Sequence, residues 1–208
     1  ATAKQASTVR TMAASDIDAA WSNAQCGSRR GRSGPVAAGV VLVALHNAAM
    51  SDLDWVHLRL GDVATQGAHV TRWTPHNEDA LFLSPRTKLE KGTPIRGGIP
   101  VIFPWFGEDP RGVGKAHGVV RRRDWKVSEG ETDLASGRIA MQVEDSSKTR
   151  KEWDHPFRLK LQAHFGDELR IQASIENRGD AAWPFEFSLH TYLAVGDVTK
   201  VAIHGLEG

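Results

Sequence analysis

The nine residues Phe157-Arg158-Leu159-Lys160-Leu161-Gln162-Ala163-His164-Phe165 alternate without a break. Phe157, Leu159, Leu161, Ala163 and Phe165 fall on one side of an extended chain. Arg158, Lys160, Gln162 and His164 fall on the other. Side chains of a strand point to opposite faces in turn, so this is a strand with one face in a core and one in water. A period of 3.6 would not keep the apolar set on one side. Residues 169–176 repeat the pattern, with Leu169, Ile171, Ala173 and Ile175 opposite Arg170, Gln172, Ser174 and Glu176. Residues 185–192 are a third case: Phe185, Phe187, Leu189 and Thr191 face one way, and Glu186, Ser188, His190 and Tyr192 the other. Gly166-Asp167 and Asn177-Arg178-Gly179-Asp180 separate these runs as turn signals. Shorter strands are expected at 55–60, 69–73, 80–83, 125–127 and 138–143, and one short helix over 147–153 with Ser146 as its cap. Many short strands with one polar side imply an all-β, mostly antiparallel sandwich.

Composition agrees and excludes the alternatives. The chain has 208 residues, 40% hydrophobic and 25% charged, with a single cysteine, Cys26. That excludes a disordered chain, a collagen-like chain and a disulfide-stapled mini-protein. A lone cysteine makes no internal disulfide, so a reducing, cytoplasmic setting is expected. The longest apolar run, residues 36–45, is about half of what a membrane span needs, and no membrane partner is expected. Residues 1–35 differ from the rest: Gly27-Ser28-Arg29-Arg30-Gly31-Arg32-Ser33-Gly34-Pro35 reads as a linker, preceded by a short helix capped by Ser15 and carrying Ile17 and Trp21. Its Ser, Ala and Arg content also suits a transit-peptide remnant, which would place the protein in a plastid or other organelle; Asp16 and Asp18 count against that. The expected division is therefore a tail at 1–35 and one β domain over 36–208.

The formal net charge of +1 conceals an asymmetry. Between Arg86 and Arg123 there are nine basic residues and three acidic ones, a net of +6. A basic segment in an otherwise acidic chain suggests an anionic partner near it. Nucleic acid is the poorer choice, because the remaining chain repels it. No metal or cofactor motif is present: the nine histidines include no H-x-x-x-H pair, and the glycines at 107–114 lack a phosphate-loop lysine.

Three stretches carry chemistry. Ile95-Arg96-Gly97-Gly98-Ile99-Pro100-Val101-Ile102-Phe103-Pro104-Trp105-Phe106-Gly107 sets an arginine before paired glycines, then two prolines and three aromatics. The prolines read as a rigid wall rather than a central strand. Trp105 and Phe106 each suit either a sugar-ring contact or the core. His117-Gly118-Val119-Val120-Arg121 opens a run of three arginines. His190 lies on the polar side of a strand. His69, His164 and His204 are read as structural.

The ordered set of these motifs resembles the hexose-6-phosphate mutarotases, the glucose-6-phosphate 1-epimerase branch of the aldose 1-epimerase superfamily. Gln66-Gly67-Ala68-His69, Trp73 and Leu189-His190-Thr191-Tyr192 belong to the same match, which runs from about residue 50 onward. The resemblance implies a galactose-mutarotase-like β-sandwich, or supersandwich, and interconversion of the α and β anomers of a hexose 6-phosphate. That reaction moves no hydride and breaks no bond to phosphorus, so no metal or cofactor is expected, and a monomer is the default state. It implies that His190 is the acid that protonates the ring oxygen, that Arg96 and Arg121 bind substrate, and that His117 lies at the same site. An imidazole can serve as that acid near neutral pH, and guanidinium forks match phosphate oxygens.

Two departures follow from the same comparison. The family's Glu base and a substrate-binding Asp lie downstream of the histidine motif, and Glu176, Glu186 and Glu207 do not match them. Glu186 shares a strand side with His190 but stands about 13 Å along it. The chain is thus expected to be C-terminally shortened and weakly active or inactive, with a non-catalytic sugar-phosphate-binding or regulatory module as the alternative. Residues 1–50 match nothing in the family.

Overall fold

The computed structural model describes residues 51–204. The expected tail, the helix around Ile17 and Trp21, the apolar run at 36–45, and Glu207 lie outside the described residues. The strand expected at 157–165 forms with those bounds: β7 is Phe157–Phe165, and its five apolar residues are all buried. It lies inside a four-stranded antiparallel sheet ordered β5 (Lys126–Val127), β6 (Arg138–Glu144), β7, β8 (Leu169–Asn177). The outer face of that sheet is a charge ladder. Arg158 sits across from Glu176 and Glu144, with Nε to Glu144 at 2.8 Å and Nη1 to Glu176 at 3.2 Å. Opposite charges on facing strands add modestly to the burial beneath them.

A second sheet of three antiparallel strands comprises β1 (Trp55–Leu58), β2 (Gly61–Ala64) and β3 (His69–Trp73). The helix forms nearly as expected: α1 is Ser147–Glu152, capped by a reciprocal pair between Ser146 and Thr149. Trp153, expected as its last residue, ends it and turns into the core.

The stretch expected to be a wall is corrected by the structure. Val101–Ile102 forms β4, which pairs antiparallel with β9 (Ser188–Leu189). On its other side Ile99 bonds to the Val70 carbonyl at 2.8 Å and Val119 to the Phe103 carbonyl at 2.8 Å. It is therefore a central strand with two defects. His190 N–H donates to Pro100 and Glu186 N–H to Pro104, at 3.0 and 2.8 Å, and neither proline has an N–H to return. The same defects explain why the eight-residue strand expected at 185–192 shrinks to Ser188–Leu189. The pairing runs from Glu186 to Tyr192, but its rungs at Pro104, Pro100 and Gly98 carry one bond each, the Gly98 N–H going to the Phe82 carbonyl instead. The run expected at 80–83 is reduced likewise to single bridges, Leu81 to Leu193 and Leu83 to Gly97. Behind the wall, Phe103 is fully buried and meets the rings of Trp153, Phe157, Trp183 and Phe185 at 5.2–6.2 Å. This aromatic cluster fixes the wall, and with it the site, against β7.

Candidate active site

Three segments bring the motif residues to one place. Residues 98–104 carry the wall, residues 186–192 pair along it, and the chain at 117–123 crosses its far side. Gly98 shows why glycine is required beside Arg96. Its φ is +62°, and a Cβ there would stand 2.3 Å from the Val70 carbonyl oxygen and 2.9 Å from His69 Nε2. The strand containing His190 is hydrogen bonded to the same turn, with Tyr192 N–H on the Gly98 carbonyl at 2.9 Å. His190 is thus tied to the turn that follows Arg96, whose own N–H donates to Thr87 Oγ1 at 2.8 Å and whose carbonyl accepts the Ser84 N–H at 2.9 Å.

The four site residues expected from the sequence converge. His117 and His190 have ring centroids 6.2 Å apart, and Phe106 lies against both, at 5.0 and 5.8 Å. Arg121 is part-buried. Its guanidinium donates from Nη2 to the Ala116 carbonyl at 3.0 Å, while its buried Nε has no hydrogen-bond partner among the described residues. Burial first, then the neighbouring Arg122 and Arg96, lower its pKa to about 10, so it remains a cation at neutral pH. Among the described residues neither Arg96 nor Arg121 forms an ion pair, whereas Arg123 is held by Glu152 at 2.7 Å and Arg111 by Asp109 at 3.0 Å. A desolvated cation facing a second cation, with an unused donor, is poised to take an anion.

The histidines differ in their surroundings. His117 accepts the Gly107 N–H at Nδ1, 3.0 Å away, and its backbone N–H returns to the Gly107 carbonyl at 2.7 Å. Burial, then Arg121 and His190, push its pKa down. His69, read from sequence as structural, is 2% exposed and lies behind the site, 2.7 Å from the Gly97 carbonyl. His164 is exposed on β7, away from the site.

Two residues without an expected role at the site belong here. Tyr192 lies beside His190, centroids 4.7 Å apart, and its side chain is 37% exposed; its two-residue spacing on the polar side of the strand was the available signal. Glu186 accepts the Phe106 N–H at 2.6 Å, a contact between residues 80 apart that no local pattern announces. The ambiguous aromatics separate. Trp105 is 5% exposed and bonds to the Lys115 carbonyl at 3.2 Å; Phe106 is 51% exposed beside the two histidines.

The arrangement offers two cations, a fixed imidazole and a second imidazole, with the rings of Phe106 and Tyr192 beside the imidazoles. Among the described residues no cluster of metal-ligating side chains occurs, and no helix is long and apolar enough to cross a membrane.

Comparison with known proteins agrees with the fold. A model of the family described as aldose 1-epimerase matches residues 59–208. A protein of Escherichia coli (strain K12), provisionally named glucose-6-phosphate 1-epimerase, is 36% identical over 144 residues, covering 69% of this chain and 48% of that protein. A protein of Cenchrus ciliaris with the same provisional name is 30% identical over 156 residues, 70% of this chain and 47% of that one. Among solved structures, a protein of Salmonella typhimurium provisionally described as a mutarotase (YeaD) superposes with a TM-score of 0.62 at 32% identity, covering 70% of this chain and 50% of that chain. A galactose mutarotase-like protein of Lactobacillus casei shares the fold, with a TM-score of 0.56 at 17% identity and coverage of 69% and 50%. The chain spans about half the length of these relatives.

Proposed function

The chain belongs to the aldose 1-epimerase family, and from that premise we propose that it recognises a hexose 6-phosphate, glucose 6-phosphate first, and takes part in interconverting its anomers. One observation carries the phosphate: part-buried Arg121, whose buried Nε has no partner among the described residues, stands beside Arg96 with no described carboxylate paired to either. A phosphate supplies both the missing charge and the missing acceptor.

In this reading the sugar ring lies along Phe106 between the arginine pair and the imidazoles. His190 gives a proton to the ring oxygen as the C1–O5 bond breaks, and a base takes the proton of the C1 hydroxyl, leaving a C1 aldehyde. Rotation about C1–C2 and reversal of both transfers close the other anomer. General acid catalysis of this kind contributes about 10²–10⁴-fold. His117, whose Nδ1 accepts from Gly107, presents a fixed Nε2–H to a sugar oxygen. No described carboxylate is assigned as the base: Glu186, on the same strand side as His190, is engaged with the Phe106 N–H. That engagement favours the second reading, a module that binds sugar phosphate without turning it over.

Calorimetry with glucose 6-phosphate against glucose, and NMR exchange between the glucose 6-phosphate anomers, separate the readings. Phosphate-dependent binding is expected, with exchange in the 208-residue chain near the spontaneous rate. Exchange well above that rate, and lost in His190→Ala, would assign the whole reaction to this chain and remove the binding-module reading. Equal affinity for glucose and its 6-phosphate would refute the substrate class.

A further inference from the structure

From the end of β2 into the first residue of β3 the chain runs Thr65-Gln66-Gly67-Ala68-His69, and its polar groups reach in two directions. Toward the Arg96 stretch, Gln66 Nε2 donates to the Thr93 carbonyl at 2.9 Å, and its Oε1 accepts the Gly92 N–H at 2.6 Å. His69 Nε2 lies 2.7 Å from the carbonyl of Gly97, the residue next to Arg96. Burial lowers the His69 pKa to about 4, so the ring is neutral, and a carbonyl partner requires that Nε2 carry the proton. Toward the Arg121 stretch, the Gly67 N–H donates to the Arg123 carbonyl at 2.7 Å and the Trp125 N–H to the Thr65 carbonyl at 3.0 Å. Gly67 packs so tightly under Arg121 that a Cβ would stand 2.7 Å from that carbonyl oxygen. Gln66 and His69 are 1% and 2% exposed.

One buried segment thus braces both arginine-bearing stretches from behind. The two cations repel each other, and no described carboxylate sits between them to hold their spacing. A scaffold that fixes their backbones removes the cost of gathering them when an anion arrives. We propose that Gln66, Gly67 and His69 are positioning residues that set the spacing of Arg96 and Arg121, and with it the affinity for the phosphate of a sugar phosphate. The inference rests on the reading of the arginine pair as the phosphate site.

The test is calorimetry on the 208-residue chain with inorganic phosphate and with glucose 6-phosphate, alongside an NMR titration with glucose and urea unfolding of each variant. His69→Leu removes the donor to Gly97, and Gly67→Ala sets a methyl against Arg121. Each is expected to weaken glucose 6-phosphate and phosphate binding about tenfold, as losses of supporting contacts around a bound ion do, and to leave the glucose titration unchanged. His69→Gln, whose amide N–H reaches as far as Nε2, is expected to recover most of the affinity. Val63→Ala truncates the core on β2 and is expected to lose stability but not affinity. If His69→Leu does not fold, Gly67→Ala and the Gln variant decide. Unchanged phosphate affinity in the folded variants, or an equal loss in Val63→Ala, overturns the proposal. A wild-type chain that binds neither phosphate nor glucose 6-phosphate refutes the arginine-pair reading itself, and the bracket's role falls with it.

Discussion

Gly107 and His117 clasp each other: the Gly107 N–H donates to His117 Nδ1 at 3.0 Å, and the His117 N–H donates to the Gly107 carbonyl at 2.7 Å. A ring nitrogen that accepts carries no proton, so neutral His117 holds its hydrogen on Nε2. The lowered pKa keeps it in that state at pH 7. The clasp also closes the loop at 107–116 and holds His117 at φ +66°, a left-handed conformation that asparagine tolerates and β-branched residues resist. His117→Asn keeps an oxygen for the Gly107 N–H and is expected to cost at most about 0.5 kcal/mol of stability while weakening sugar binding. His117→Val is expected to cost about 1–2 kcal/mol more, through backbone strain. Urea unfolding of the two variants checks this; equal midpoints would mean that neither the clasp nor the strain matters.

Arg121 places function and stability in opposition. Its part-buried charge has no counter-ion among the described residues, and the residues nearest in charge are Arg122 and Arg96. Desolvated cations of this kind cost folding energy. Arg121→Met is expected to raise stability by about 1 kcal/mol, a figure reduced for solvent screening at a part-exposed group. The same change is expected to remove most of the preference for glucose 6-phosphate over glucose. Differential scanning calorimetry and ligand titration on one preparation test both halves. A variant that loses stability would mean that the guanidinium is held by its bond to Ala116 for structural reasons alone.

The elements most legible in the sequence are those whose hydrogen bonds are complete. β3 and β7 have the bounds that alternation gives them, and α1 lies within the range that Ser146 announces. The stretches at 95–107 and 185–192 depart from expectation together because they pair with each other. Proline does not exclude a central strand here but removes the return bonds at Pro100 and Pro104, and the partner at 185–192 is shortened by those missing bonds and by the Gly98 N–H bonding to Phe82. The convergence of Arg96, His117, Arg121 and His190 could be named from motif order, but what supports them could not. Glu186 on Phe106 spans 80 residues and His69 on Gly97 spans 28, and such contacts leave no trace in local periodicity. The exposure that separates Phe106 from Trp105 is likewise a property of packing between segments.

Acid should weaken the fold in two steps. His69 titrates near 6.5 when unfolded and at about 4 when folded, so the unfolded chain binds the extra proton between these values. Stability is then full above about pH 6.5 and falls as pH drops toward 4, by about 3 kcal/mol if the ring stays buried. Below that, Asp109 takes over. The carboxylate accepts from Arg111 and from the N–H groups of Val113 and Gly114, and the Arg111 bonds foremost hold its pKa far below the usual carboxylate range. Its contribution is present above pH 4 and lost on further acidification. Urea unfolding at pH 7, 5.5 and 4.5 measures the first step, which is expected to shrink in His69→Gln. An unchanged slope in that variant would assign the acid sensitivity elsewhere.

Trp105 and Phe106 are adjacent in sequence and should respond oppositely to truncation. Trp105 fills the core, bonds to the Lys115 carbonyl, and supports Arg111, whose guanidinium carbon lies 4.9 Å from the ring centroid. Trp105→Ala is expected to cost about 3–5 kcal/mol. Phe106 is held through its backbone by Glu186 and shows half of its ring to solvent, so Phe106→Ala is expected to change stability by less than about 1 kcal/mol. Its effect should appear in binding. A sugar ring stacked on Phe106 makes that contact whether or not it is phosphorylated, so affinity for glucose and for glucose 6-phosphate should fall by the same factor. Arg121→Met, by contrast, should lower only the second. Paired titrations of both ligands against both variants therefore separate ring recognition from phosphate recognition. A Phe106→Ala chain that binds both sugars as the parent does would return Phe106 to the role of a surface residue held in place by its neighbours.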